Sequence, residues 1–146
     1  MPRFALPRFA LVAAAASLAL AMPAFAGPAF AQDAAIAGDA AKGERVFKRC
    51  MACHTVVEGG PNRVGPNLYG IVGAPFGHAA DYKYSANLLE LKDEGRVWDT
   101  ATLDAYLKKP KDLIPKGIMS FVGLPRESDR ADVIAYLATF GGAPAE

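Results

Sequence analysis

Three observations predict an all-α fold for this chain of 146 residues. Apolar residues recur at helical spacing in several stretches, and the clearest of these open on residues suited to capping. No run alternates apolar and polar side chains as a half-buried strand does. Between the first two helical stretches lies a long segment punctuated by Gly59, Gly60, Pro61, Gly65, Pro66, Gly70, Gly73, Pro75 and Gly77. An irregular loop of that length in a small domain surrounds something or is disordered. Leu68, Tyr69, Ile71 and Val72 within it argue against disorder.

The first helix is expected to start after Asp39, an N-cap for AAKGERVFKRCMAC, with Val46, Phe47, Cys50 and Met51 on one face. Gly43 inside it costs ~1 kcal/mol against alanine. It marks either a close approach by another backbone or tolerance near a helix end. A turn is expected within residues 67–72 and a short helix over residues 84–92. Asp99 or Thr100 caps TATLDAYLKK, which carries Leu103, Tyr106 and Leu107 on one face and is stopped by Pro110. Residues 110–125, PKDLIPKGIMSFVGLP, read as a loop. Ser128 is expected to cap ESDRADVIAYLATF, with Asp129 and Asp132 favourable to the helix dipole. Val133, Ile134, Leu137 and Phe140 form its stripe, and Gly141 and Gly142 end it.

The N-terminal segment has a different character. It carries Arg3 and Arg8, no acid, an apolar run over residues 9–21, and two small-residue patterns, Ala24-Phe25-Ala26 and Ala29-Phe30-Ala31. This is the layout of a secretory signal peptide. The apolar run is shorter than the ~20 residues of a membrane-spanning helix, and Pro23 and Pro28 break its far end. Residues 1–31 are therefore read as a cleaved leader, with Ala26 as the alternative cleavage point. Residues 32–38 follow as a tail, residues 39–141 as one domain, and residues 142–146 as a second tail. Losing Arg3 and Arg8 takes the formal net charge from +1 to −1. That balance excludes a general nucleic-acid binder. A domain this small is only modestly stable on burial alone, so a large apolar cofactor held covalently would help it.

Both cysteines lie in RCMACHTV, residues 49–56. Zinc requires four ligands, and only His54 and His78 could join Cys50 and Cys53. A redox dithiol needs a strand–helix context that is missing, and a plain disulfide leaves His54 without a purpose. Attachment of haem c uses all three residues. Positions i and i+3 share a helix side, so Cys50 and Cys53 can each form a thioether with one haem vinyl group. His54 then reaches the iron. For the other axial position, Met1 and Met22 leave with the leader, and Met51 sits between the cysteines on the wrong side to cross the ring. Met119 remains, in a loop rich in proline and glycine. Its competing role is core packing. The rival ligand His78 reads as a solvated side chain. A histidine–methionine pair fills both axial sites and suits a change of oxidation state with little change of geometry.

The segments GDAAKGERVFKRCMACH, VGPNLYGIVG, YKYSAN, WDTATLDAYLKKP, IPKGIMSFVG and RADVIAYL occur here in one order. In that order and spacing the chain resembles a class I cytochrome c of the mitochondrial type, as a bacterial periplasmic relative. The resemblance covers most of residues 38–140. It implies four to five helices wrapped around one covalently attached haem c. It implies attachment at Cys50 and Cys53 and axial ligation by His54 and Met119. Pro66 would accept a hydrogen bond from His54. Tyr84 and Trp98 would bond a haem propionate, and Asn87 and Tyr106 would lie near the ring, although each aromatic would pack in a core in any case. Gly43 and Phe47 would meet Val133 and Tyr136 where the first and last helices cross.

Two positions depart from the family: Ala74 stands where an arginine is common, and Gly117 where a hydroxyl is common. Residues 87–98 are about four residues longer than in the mitochondrial form, which fits a bacterial relative. Arg49, Arg63, Lys108, Lys109, Lys111 and Lys116 would ring the haem edge and dock transiently on acidic patches of membrane redox complexes. An ordinary solvated lysine face is the alternative. The resemblance thus implies a monomeric, soluble periplasmic carrier. It would take one electron from a quinol-oxidising cytochrome bc complex and pass it to a terminal oxidase or photosynthetic reaction centre. A peroxidase-like haem enzyme or gas binder, and a dedicated acceptor for a periplasmic dehydrogenase, are the competing functions.

Overall fold

The computed structural model describes residues 38–141. The expected leader, residues 32–37 of the N-terminal tail, and the C-terminal tail lie outside the described residues. Five helices appear in order: α1 Ala40–Phe47, α2 Ala86–Asp93, α3 Thr100–Lys108, α4 Pro110–Leu113 and α5 Glu127–Ala138. Among the described residues there is no strand, only an isolated antiparallel bridge between Pro75 and Val97. None of these helices is long and apolar enough to cross a membrane.

The crossing of α1 and α5 is the closest contact between helices, and small residues make it so. A Cβ at Gly43 would overlap the Asp132 carbonyl oxygen and lie 2.7 Å from Tyr136 Cβ. Close backbone approach is therefore why glycine stands in this helix. Phe47 packs on Tyr136 at 5.4 Å between ring centroids, and Tyr136 meets Phe140 edge-on at 4.9 Å. Asp39 ties the ends together. Its carboxylate accepts from Lys42 N at 3.1 Å, while its own N–H donates to Asp132 Oδ1 at 2.7 Å. Asp132 thus serves α1 rather than the first turn of α5, where Glu127 and Asp129 stand.

Helix boundaries differ from expectation at three places. α1 stops at Phe47, and the backbone continues in tight turns, with Cys50 N bonded to Phe47 O at 2.7 Å and Cys53 N to Cys50 O at 3.0 Å. Pro110 both ends α3 and opens α4 at its first position, where a fixed φ is an advantage and the missing N–H costs nothing. Ser128 lies inside α5, whose N-cap is Arg126 without a side-chain capping bond. Asp99 caps α3 as anticipated, accepting from Thr102 N at 2.6 Å.

α3 is fastened to α5 by Arg130, only 5% exposed. Its Nε donates to Asp104 Oδ1 at 2.6 Å and its Nη1 to the carbonyls of Leu124 and Pro125 at 3.0 and 3.1 Å. The long irregular segment is ordered by hydrogen bonds to distant backbone. Gly73 N donates to Trp98 O at 2.9 Å, Trp98 N to Ala74 O at 2.7 Å, and Phe76 N to Arg96 O at 3.0 Å. This pairing sets Trp98 flat on Phe76, with centroids 3.8 Å apart. Phe47, Ile71, Val72, Leu88, Leu103, Ile114, Leu124, Val133, Ile134 and Leu137 complete the buried core.

Candidate haem site

A largely apolar cavity of about 460 Å³ opens within this core. Cys50, Cys53, His54, Pro66, Tyr84, Trp98, Tyr106 and Met119 all line it. The turn that carries the cysteines is wrapped by the following loop. Gly65 N donates to Cys53 O at 2.8 Å, Leu68 N to Thr55 O at 2.8 Å, and Arg63 Nη1 to Met51 O at 2.7 Å. Thr55 Oγ1 reaches Pro61 O at 2.8 Å.

These loop bonds present Pro66 O to His54 Nδ1 at 2.7 Å. A carbonyl can only accept, so Nδ1 carries the proton and Nε2 keeps its lone pair free. Burial lowers the pKa of His54, partly offset by the bond to Pro66, so the ring is neutral and suited to bind a metal. Gly65 lies against the ring, and a Cβ there would come within 2.7 Å of His54 Nδ1. Glycine at this position is what lets the loop close on the imidazole. Burial pushes the Cys50 thiol upward. Met119 is half-buried, and Tyr106 Oη donates to its sulfur at 3.9 Å. Burial lifts the Tyr106 phenol to about 12, so it stays a neutral donor. Met51 is exposed and does not line the cavity.

Two residues stand apart from their expected settings. Asn87 is not on the cavity wall. Its Nδ2 turns to Glu90 Oε2, 3.4 Å away along α2, and its Oδ1 is buried without a partner. His78 is not solvated. It lines the cavity, its Nε2 donates to Asn67 O at 2.8 Å, and its Nδ1 is buried and unpaired. Burial outweighs that bond and lowers its pKa.

Sequence reasoning passed over Asn67, which organises the loop. Its Nδ2 donates to Val57 O and Gly60 O at 2.8 and 3.0 Å, and its N–H reaches Asn62 Oδ1 at 2.9 Å. It also missed Tyr82, which lines the cavity and bonds Val64 O at 2.7 Å. An asparagine between glycines, in a loop with no regular structure, was the signal available.

Of the six basic residues singled out, Arg49 lines the cavity and all six are exposed. Two are held by backbone carbonyls: Arg63 by Met51 O, and Lys111, whose Nζ hydrogen-bonds Gly117 O. Lys109 pairs with Asp112 at 2.8 Å.

The donor set fits a haem c. Two thiols three residues apart, a neutral imidazole with one nitrogen free, and a thioether share one mainly apolar cavity. Among the described residues no three His, Cys, Asp or Glu side chains cluster as a metal site would need, so the zinc alternative lacks ligands here.

Comparison with known proteins agrees. The cytochrome c family model matches residues 40–141. The chain is 47% identical to cytochrome c2 of Rhodomicrobium vannielii over 75% of this chain and 85% of that protein. It is 44% identical to cytochrome c of Kluyveromyces lactis over 68% of this chain and 89% of that protein. It is 45% identical to a cytochrome c homolog of Bradyrhizobium diazoefficiens over 70% of this chain, but it spans only 55% of that relative's length. The helices and cavity define a small all-α haem protein. The chain belongs to the cytochrome c family, electron-transfer proteins that carry covalently attached haem c.

Proposed function

We propose that the chain is a soluble periplasmic one-electron carrier in which Cys50 and Cys53 hold the haem and His54 and Met119 fill its two axial positions. When bound, the haem supplies a one-electron Fe(III)/Fe(II) couple. The observation that carries the reading is the His54–Pro66 bond, which leaves Nε2 free in a cavity shared with the Met119 thioether. Each neighbouring residue has a task. The Pro66 carbonyl holds the His54 tautomer and makes the ring a stronger donor. The Met119 sulfur, a soft ligand, favours the ferrous state. Tyr106 steadies that sulfur from the side. Tyr84 and Trp98 are the proposed propionate partners, and Asn87, off the cavity wall, has no part in the site. The apolar walls limit water around the couple, so little solvent has to reorganise when charge changes.

The donor is a quinol-oxidising cytochrome bc complex, and the acceptor a terminal oxidase or photosynthetic reaction centre. The cytochrome c2 relatives and the leader-like segment support the bacterial, exported setting. Docking is transient and electrostatic. It rests mainly on Arg49, Lys108 and Lys116, because Lys109 is paired with Asp112 and backbone carbonyls hold the side chains of Arg63 and Lys111. Small charged encounters of this kind weaken with salt.

Carbon monoxide binding to the reduced protein tests the assignment. A carrier with both axial positions filled by its own side chains takes up the gas slowly and weakly. Fast, tight uptake would instead mark a haem enzyme or gas binder and reject the carrier reading. For docking, turnover with an isolated bc complex should slow as salt rises from low to moderate; a rate indifferent to salt would rule out electrostatic docking.

A further inference from the structure

We propose that His78 is a positioning residue for His54, acting through the Pro66–Asn67 dipeptide that lies between the two histidines. The inference rests on the reading of His54 as an axial ligand. The Pro66 carbonyl accepts from His54 Nδ1 at 2.7 Å. The next carbonyl along the chain, that of Asn67, accepts from His78 Nε2 at 2.8 Å. Each imidazole thus holds one of two successive carbonyls.

The loop around Pro66 is otherwise fastened mainly to itself and to the turn before it. Asn67 spends its side-chain amide on Val57 O and Gly60 O, and its N–H on Asn62 Oδ1. Gly65 and Leu68 reach back to Cys53 O and Thr55 O. Among the described residues, two hydrogen bonds reach residues 57–68 from outside residues 51–71. They are His78 on Asn67 O, and Tyr82 Oη on Val64 O at 2.7 Å. The two contacts bracket Pro66, and His78 supplies the one adjacent to it.

His78 acts from a fixed base. Phe76 is 0% exposed, lies flat on Trp98, and bonds Arg96 O through its N–H at 3.0 Å. Gly77, at a φ of 69°, then turns the chain in a way that suits glycine. His78 follows on the cavity wall. Its Nδ1 is buried without a partner, so the bond to Asn67 is the whole polar engagement of the side chain. A carbonyl only accepts, so Nε2 carries the proton. A partner that orients a metal-binding histidine also sets its strength as a donor. His78 fixes the peptide that carries that partner.

The test is solvent exchange of the His54 Nδ1 proton, read by NMR on the reduced holoprotein. In the wild-type protein the His54 ring protons should show the large upfield shift of a group held over the haem plane. Absence of that shift overturns the axial reading, and the inference with it. His78→Leu should keep the shift and exchange the His54 Nδ1 proton about fivefold faster, the factor of one net hydrogen bond. The slowest amides of α5 should change less. His78→Gln, whose amide can also donate, should return most of the slow rate. An unchanged His54 rate in His78→Leu overturns the positioning role alone. So does equal acceleration throughout α5, the mark of a general loss of stability, or a His78→Gln protein as fast as His78→Leu. Should His78→Leu fail to fold, the wild-type protein decides. A slowly exchanging proton on His78 Nε2 supports the bond, and a freely exchanging one overturns it.

Discussion

A single proton position decides what His54 can do. The Pro66 carbonyl claims Nδ1, so Nε2 is the only nitrogen left to donate. Across the cavity wall Tyr106 plays a smaller part on Met119. With Met119 on the iron as proposed, its hydroxyl would draw electron density from the sulfur and so favour the reduced state. Tyr106→Phe should lower the midpoint potential by on the order of a few tens of millivolts, as protein-film voltammetry would read it. A rise would contradict the assigned role. His78 makes a separate prediction. If His54 binds the iron as proposed, His78 is the histidine left to titrate, and burial lowers its pKa below the ordinary 6.5. The unfolded chain therefore binds its proton more readily. The His78 contribution to stability is full above about pH 6.5 and is lost as pH falls below that value. Denaturant midpoints measured from about pH 7 to 5 should fall less steeply in His78→Gln. At this scale the motif was legible because CMACH carries its own spacing logic. The setting of His78 was not, because its burial depends on Asn67 and the distant loop that Asn67 organises.

Helices are held here by contacts that propensity does not describe. Gly43 looks unfavourable for α1 taken alone, yet it is where α5 comes closest. Gly43→Ala, a helix-favouring change, should destabilise the protein by roughly 2–3 kcal/mol through overpacking. Equal or greater stability in guanidinium unfolding would refute the close-approach account. Arg130 shows the opposite limit. A surface-type residue in a helical stripe gave no sign that it would be buried between α3 and α5. The existence of α1, α3 and α5 was legible because their stripes are long. α4 was hidden because four residues show no periodicity, and the end of α1 because tight turns and helix share the same residue spacing at Cys50 and Cys53.

At the scale of the molecule, the cavity sets the terms. Without its occupant, a largely apolar cavity of about 460 Å³ leaves the core residues around it open to water, and a small domain has little stability to spare. The haem-free chain, made as Cys50→Ala/Cys53→Ala without haem, should therefore lose most of its helical circular dichroism. Retention of native helicity would show that the protein core stands without its cofactor. The same economy explains why fold and site could be read together from the sequence. Most apolar residues that close the long loops do so around one group, so the motif that names the group also predicts the architecture.

The central claim is that His54 and Met119 together hold the iron. The optical spectrum of the oxidised protein at neutral pH tests it most directly. The account predicts a weak far-red sulfur–iron band in the wild-type protein that vanishes in Met119→Ala and survives Met51→Leu. A wild-type spectrum without the band, or a band unchanged in Met119→Ala, would contradict it.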